Sequence, residues 1–341
     1  MDFNVVLPLL SSILSFVFFV FLIDQWRERR RPYQLIWAIG MLWYALSAGT
    51  EFLGGAVGWS EPLYRAWYLI GAIWVAGWLG LGTVYLLAKT RFGYAFAVSL
   101  GFAGLFTVLS FAKYGYEGSG SAPMIYGLVA AVLAVAVIVM AYRRDDRWPW
   151  LAAVAIVGGS VVSLAMVLTT PLAAPGFAVD PATHIPVGTL FPGYIRLLTP
   201  FFNVTGAFAL TFGALYSAYV FMPKRRVLRY DLKGRRNPFL YAWALIAVIV
   251  NFVASLPGAV IALLTGRLNS RVPATILIAI GGFIPAITSG ANRFGATSGF
   301  FVGEFLGVLF LFTGFLVSVE VFREIRVPFT QRVLRARSEV A

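Results

Sequence analysis

The sequence contains no cysteine and a single histidine, His184, among its 341 residues. Without cysteine the chain can form neither disulfides nor iron–sulfur clusters nor thiolate metal sites. A lone histidine also cannot supply the pair of ligands that holds a membrane b-type haem. These absences predict a protein that carries no metal or haem cofactor of its own.

Charged residues are also scarce, because they make up only 12% of the chain, whereas hydrophobic residues make up 60%. With a mean hydropathy of +0.83, this composition is far from that of a soluble domain and predicts a polytopic membrane protein. The motifs GxSxG, HExxH and Walker A are missing, so we predict that the protein is not an enzyme.

Apolar runs long enough to cross a bilayer core about 30 Å thick follow one another along the chain. They predict an all-α transmembrane helix bundle of nine or ten spans that occupies residues 1–322 as a single domain. A basic tail, 323–341, follows, and its alternating basic and apolar residues favour an amphipathic helix on the cytoplasmic membrane surface. The predicted spans are 4–24, 34–57, 66–88, 93–112, 125–142, 149–171, 198–222, 239–265, 273–290 and 299–322.

Positive charges are concentrated in alternate connections, which determines the predicted orientation. Up to residue 265, one set of connections holds 16 Lys and Arg residues and the other set holds only 3. Because basic loops stay in the cytoplasm, we expect the N-terminus outside, the loop 223–238 inside, and a location in the cell membrane. The net charge of +13 is therefore expected to favour the lipid bilayer and its anionic cytoplasmic lipids as partners, not nucleic acid.

The segment 273–290 is interrupted by Gly281, Gly282, Pro285 and Gly290. A re-entrant segment would leave the tail 323–341 in the cytoplasm with the other basic residues, whereas a full crossing would put the tail outside. The charge pattern therefore favours a broken or re-entrant segment and a cytoplasmic C-terminus. The alternative is a spanning helix kinked at proline, since neighbouring helices can satisfy the freed carbonyls.

Ionisable and amide side chains within or near the spans predict a site in the outer half of the membrane. Such residues are expensive in a bilayer and usually face a partner or a cavity. In the structural alternative, Glu51 pairs with Arg65, and Glu304 pairs with Arg293, as ion pairs near the interface. The candidate ligand-binding residues are Glu51, Arg65, Asn203, Arg293 and Glu304.

Small and aromatic residues have simpler interpretations. Glycine at positions 299, 303 and 307 recurs on one helix face and predicts close helix packing. Five tryptophans at predicted span ends fit the aromatic belt of a membrane protein. They are Trp26, Trp59, Trp67, Trp148 and Trp150.

Two functional classes follow from these patterns. In the first, the protein binds or carries a small polar or ionic solute through an outward-facing membrane site. In the second, it is a non-catalytic membrane subunit, anchor or sensor-type module that packs against protein subunits. The two classes differ in whether Glu304 is needed for binding or only for stability.

Overall fold

The computed structural model describes residues 3–231, 238–318, 325–326, 328–330 and 333–335. The chain folds as an all-α polytopic bundle, as predicted, and ten of its helical rods are long and apolar enough to cross a membrane. One rod, Glu61–Leu86, contains a π-helical segment, Tyr68–Trp74, between α3 and α4. The helices are α1 Phe3–Arg29, α2 Pro32–Val57, α3 Glu61–Trp67, α4 Val75–Leu86, α5 Phe92–Tyr114, α6 Ala122–Tyr142, α7 Pro149–Thr169, α8 Gly193–Arg196, α9 Leu198–Phe221, α10 Pro238–Leu264, α11 Arg271–Arg293 and α12 Phe300–Val317, with one 3₁₀ turn at Gly188–Leu190.

The bundle has two chemically different ends. The end where α1 meets α2, here called the basic end, is held by the buried amides of Gln25 and Gln34, 3.2 Å apart. At the opposite end, Asn4 donates to the carbonyl oxygen of Thr183 at 2.9 Å. Of the described Lys and Arg residues, the opposite end holds only Arg65, Lys113, Arg196 and Arg293.

Helix α10, although long enough to span, lies along the basic end. Near its start, Tyr241 stacks on Tyr94 in the first turn of α5, with ring centroids 4.9 Å apart. In its middle, Asn251 accepts hydrogen bonds from the backbone that follows α9. Near its end, Ala259 packs with Met222 and Val272, where α9 ends and α11 begins. A helix is therefore found at the predicted position 239–265, but its start, middle and end all contact residues at the basic end.

Helix α11 runs from the basic end to the opposite end without a break, so the predicted broken or re-entrant segment at 273–290 is wrong. The guanidinium of Arg271 lies over the Phe221 ring at the basic end, and Arg293 contacts Thr199 at the other end. Pro285 is tolerated inside the helix because its ring packs against Gly307 of α12. A neighbouring helix thus supports the proline, as in other membrane bundles.

Close packing of α11 on α12 depends on glycine, as the sequence predicted. Gly303 faces the Thr288 side chain, and Gly314 lies against the Ala274 carbonyl oxygen, leaving no room for a methyl group at either position. Gly299, by contrast, has room for a methyl group, because no atom of a non-neighbouring residue lies within 4 Å of the position that its Cβ would take. The glycine face therefore continues along α12 beyond the predicted 299–307 stretch.

Helix α12 ends toward the basic end, because it starts near Thr183 at the opposite end and its last turn packs on α1 through Phe315 and Phe18. Beyond α12, the backbone N–H of Phe329 donates to Asp24 near the end of α1 at 3.0 Å. The described tail residues form a short antiparallel pair, β1 Ile325–Arg326 with β2 Val333–Arg335. These five residues are therefore not helical, and most of the remaining tail, 323–341, for which an amphipathic helix is expected, lies outside the described residues. Nine helical rods thus connect the two ends within the described residues, and α10 does not.

Candidate functional site

A cavity of about 1010 Å³ lies in the half of the bundle nearer the opposite end. Its walls come from α9 and α11, with α2, the π-helical segment, α5 and α12 around them. The lining extends to exposed residues at the surface of that end, Pro181 and Gly295. Four of the five predicted site residues line it: Glu51, Asn203, Arg293 and Glu304.

Two carboxyl groups meet in the deeper part of the cavity. Glu51 of α2 is 1% exposed, and Trp67 Nε1 donates to its Oε1 at 2.8 Å. The side chains of Glu51 and Glu304 both line the cavity, and their carboxyl groups are close enough to interact with each other. The Tyr44 hydroxyl donates to the backbone oxygen of Glu304 at 2.7 Å and so ties α12 to α2.

A hydrogen bond between two carboxyl groups requires a proton on one of them. The Oε2 atoms of Glu51 and Glu304 are buried, and neither has a hydrogen-bond partner among the described residues. Two carboxylates in contact also repel each other strongly in a weakly polar interior. The Glu51–Glu304 pair is therefore chemically suited to hold a proton between its members.

Two arginines lie nearer the mouth of the cavity. Arg293 donates to Thr199 Oγ1 at 2.6 Å, to the Arg196 carbonyl oxygen at 2.9 Å and to the Tyr116 hydroxyl at 3.3 Å. The Arg196 guanidinium lies over the Tyr116 ring, with Cζ 4.3 Å from the ring centroid. Within the described part of the chain, neither arginine forms a salt bridge. The mouth therefore presents two guanidinium groups without a salt-bridge partner in the described chain. The carboxylate of Asp180, which also lines the cavity, accepts hydrogen bonds from Thr183 and from the backbone N–H of Ala182.

The predicted ion pairs are both wrong. Arg65 lies outside the cavity lining, where it bonds Glu61 at 2.6 Å and the carbonyl oxygens of Val167 and Thr170. It fastens α3 to the end of α7 and is not available to Glu51. Arg293 is likewise turned toward α9 and Tyr116, so Glu304 faces Glu51 instead of an arginine. The spacing of Glu61 and Arg65, four residues apart on one helix, is a sequence signal for their ion pair, whereas no local spacing connects Glu51 with Glu304.

The π-helical segment Tyr68–Trp74 shapes another wall of the cavity. Its wider turns shift the backbone hydrogen bonds, and such segments are frequent at functional sites. Asn203 of α9 donates to the Ala72 carbonyl oxygen at 2.9 Å. Gly71 allows close approach, because a methyl group there would overlap the Ser47 hydroxyl. Asn203 therefore lines the cavity, but its amide nitrogen already has a partner in the protein, and its role in ligand binding stays a prediction.

The sequence-based site lacked three residues that the structure brings to it. Trp67 was expected in the aromatic belt, but it is buried and bonds Glu51. Arg196 is the last residue of α8, just before α9, and Tyr116 follows α5. The Tyr116 ring supports the guanidinium of Arg196, the second one at the mouth. A signal for Arg196 was present, since few basic residues belong to the poorly charged connections, but nothing in the sequence pointed to Tyr116.

The geometry defines the class of the protein as a polytopic helical membrane protein with an internal cavity, lined by apolar and polar side chains, that reaches the surface at one end. Within the described residues, no group of three or more His, Asp or Glu side chains is arranged to hold a metal ion. Compared with known proteins, the sequence matches no family model, and neither a curated protein nor a solved structure is significantly similar. The function must therefore be argued from the site itself.

Proposed function

We propose that this protein is a non-catalytic membrane carrier for an anionic solute, which it binds in the cavity. The observation that supports this proposal is the pair of guanidinium groups of Arg196 and Arg293, which line the cavity without a carboxylate partner in the described chain. A guanidinium offers several N–H donors in a plane, which suits carboxylate and phosphate oxygens. An anion between the two arginines would supply the missing negative charge.

The carboxyl pair would couple this binding to a proton. Glu51 and Glu304 share one cavity with the arginines, and the groups that face them are the Tyr44 hydroxyl and Trp67 Nε1. Neither is a cation, so a proton is the simplest way to reduce the repulsion between the two acids. Movement of the anion together with that proton would lower the net charge carried through the bilayer.

The charge distribution supports an orientation for the carrier. Basic connections remain in the cytoplasm during insertion, so we place the basic end at the cytoplasmic face of the cell membrane. The N-terminus and the cavity mouth would then face outward, and the C-terminus would lie inside. The same Lys and Arg residues would attract the anionic lipids of the inner leaflet.

Thermal unfolding in nanodiscs made only of phosphatidylcholine tests the anion site. Inorganic phosphate should raise the unfolding midpoint of the protein relative to chloride at the same ionic strength. The expected stabilisation is about 2.7 kcal/mol at a phosphate concentration 100 times its Kd. Arg293→Gln should abolish this increase, and Arg293→Lys should retain part of it because the charge remains.

Arg147→Gln provides the matched control, because Arg147 is an exposed arginine at the basic end. That variant should respond to phosphate like the unchanged protein. If phosphate stabilises none of these proteins, or stabilises Arg293→Gln as much as the unchanged protein, the carrier proposal fails. The second functional class, a non-catalytic subunit, anchor or sensor-type module, would then be the better explanation of the same fold.

A further inference from the structure

The cavity has an apolar wall that reaches the outside of the bundle. Four residues of α5 form this wall. They stand at positions i, i+3, i+4 and i+7 of the helix and so share one face. Leu105 and Leu109 are 53% and 56% exposed, although both belong to the cavity wall. The face consists of Phe102, Leu105, Phe106 and Leu109.

The opposite side of this opening is formed by α11. Ile287 also lines the cavity and is 53% exposed. At the mouth end, the rings of Tyr114 and Phe294 stack with centroids 5.3 Å apart and connect α5 to α11. At the basic end, α10 crosses below. Between these two closures, α5 and α11 flank a lateral gap, with α9 behind it.

The length of this gap along α5 is close to the thickness of the hydrocarbon region of one leaflet. From Tyr114 to Phe102 is 12 residues, or about 18 Å along the axis of α5. One leaflet of a bilayer core about 30 Å thick contributes about 15 Å. The gap therefore extends over roughly one leaflet and starts beside the two arginines.

We infer that the anionic solute is an amphiphile whose head group binds Arg196 and Arg293 and whose hydrocarbon chain lies in the gap between α5 and α11. This inference rests on the proposed function and specifies its class of substrate. A small hydrated anion would use the arginines but would leave the gap between α5 and α11 to surrounding lipid chains. An amphiphile can instead place its head group at the arginines while its alkyl chain stays in an apolar environment, between the exposed apolar residues of α5 and Ile287 of α11.

Photolabelling in phosphatidylcholine nanodiscs tests the inference. The probe is hexadecyl phosphate with a diazirine in its chain, and the matched neutral probe is the corresponding hexadecanol. The phosphate probe should label the α5 face and Ile287, as read by mass spectrometry. Arg293→Gln should reduce this labelling at least tenfold, and Arg293→Lys should restore part of it. The neutral probe should label the gap weakly and equally in all these proteins.

A bulky residue in the gap separates the chain from the head group. Leu109→Trp should reduce labelling by hexadecyl phosphate but leave stabilisation by inorganic phosphate unchanged. Leu128→Trp is the control, because Leu128 is a 65% exposed residue of α6 outside the cavity, and it should change neither measurement.

The outcomes distinguish the two proposals. Equal labelling by the charged and neutral probes, or labelling that does not depend on Arg293, would mean that only surrounding lipid contacts the gap and would overturn the inference. If inorganic phosphate still stabilised the protein, the anion site would stand without its chain-binding gap. If neither phosphate nor the charged probe bound, both proposals would fail.

Discussion

Replacing Glu304 with glutamine separates the proposed role of the carboxyl pair in proton movement from its role in stability. Glutamine has nearly the same shape, and its amide nitrogen can donate to the Glu51 carboxylate that now faces Glu304. The variant can therefore form a hydrogen bond between the two side chains without a proton shared by two acids. What the variant lacks is a group at position 304 that can bind and release a proton.

The expected change in stability is small for glutamine and larger for leucine. A typical net hydrogen bond contributes about 1 kcal/mol, so Glu304→Gln should change the free energy of unfolding by less than about 1 kcal/mol. In the proposal Glu51 and Glu304 share a proton, and Glu304→Leu removes that shared proton, so the buried Glu51 carboxyl group loses its donor at this side. Such an unsatisfied group costs about 1–3 kcal/mol, and more when it is charged.

Uptake of inorganic phosphate into proteoliposomes measures the functional effect. An imposed pH gradient should accelerate uptake by the unchanged protein but not by Glu304→Gln. Exchange of labelled for unlabelled phosphate without a gradient should continue in the glutamine variant, because the arginines are intact. If the gradient still drives uptake by Glu304→Gln, or if glutamine destabilises the protein as much as leucine does, the reasoning about the pair is refuted.

Three further predictions concern the fold. Because the chain has no cysteine, Thr265→Cys and Pro181→Cys can be labelled singly in intact cells with an impermeant maleimide; only Pro181→Cys should react, whereas reaction at position 265 would show that α10 crosses. Arg65→Gln should lower the free energy of unfolding by about 1–3 kcal/mol, since two carbonyl oxygens lose their donor, while phosphate still raises the unfolding midpoint by the same amount; a loss of the phosphate effect would place Arg65 in the site after all. Gly206→Ala should lower the free energy of unfolding by about 1–3 kcal/mol, because the added methyl group would overlap backbone atoms of α4. The control is Gly101→Ala, where the methyl group faces open space. It should change the free energy of unfolding by no more than about 0.5 kcal/mol.

Local rules explain why the sequence was sufficient for most of the fold. A helix that crosses a membrane forms its backbone hydrogen bonds internally and has apolar side chains over the length that lies in the hydrocarbon core. Each span is therefore visible as an apolar run in the sequence. The packing role of the α12 glycines followed from their spacing. The five candidate ligand-binding residues were chosen from the cost of polar groups in a bilayer, and four of them, all except Arg65, line the cavity.

Partners and paths were decided by the tertiary structure. Apolar runs of equal length describe a helix that crosses and a helix that lies along one end, so sequence could not separate α10 from α11. Only contacts between distant segments did so, through Tyr241 with Tyr94 and Arg293 with Thr199. For the same reason, the sequence identified Glu51 and Glu304 as unusual, but only the packing of α2 against α12 brought the two acids together. Hydrophobicity is a property of single residues, whereas pairing depends on which helix faces meet.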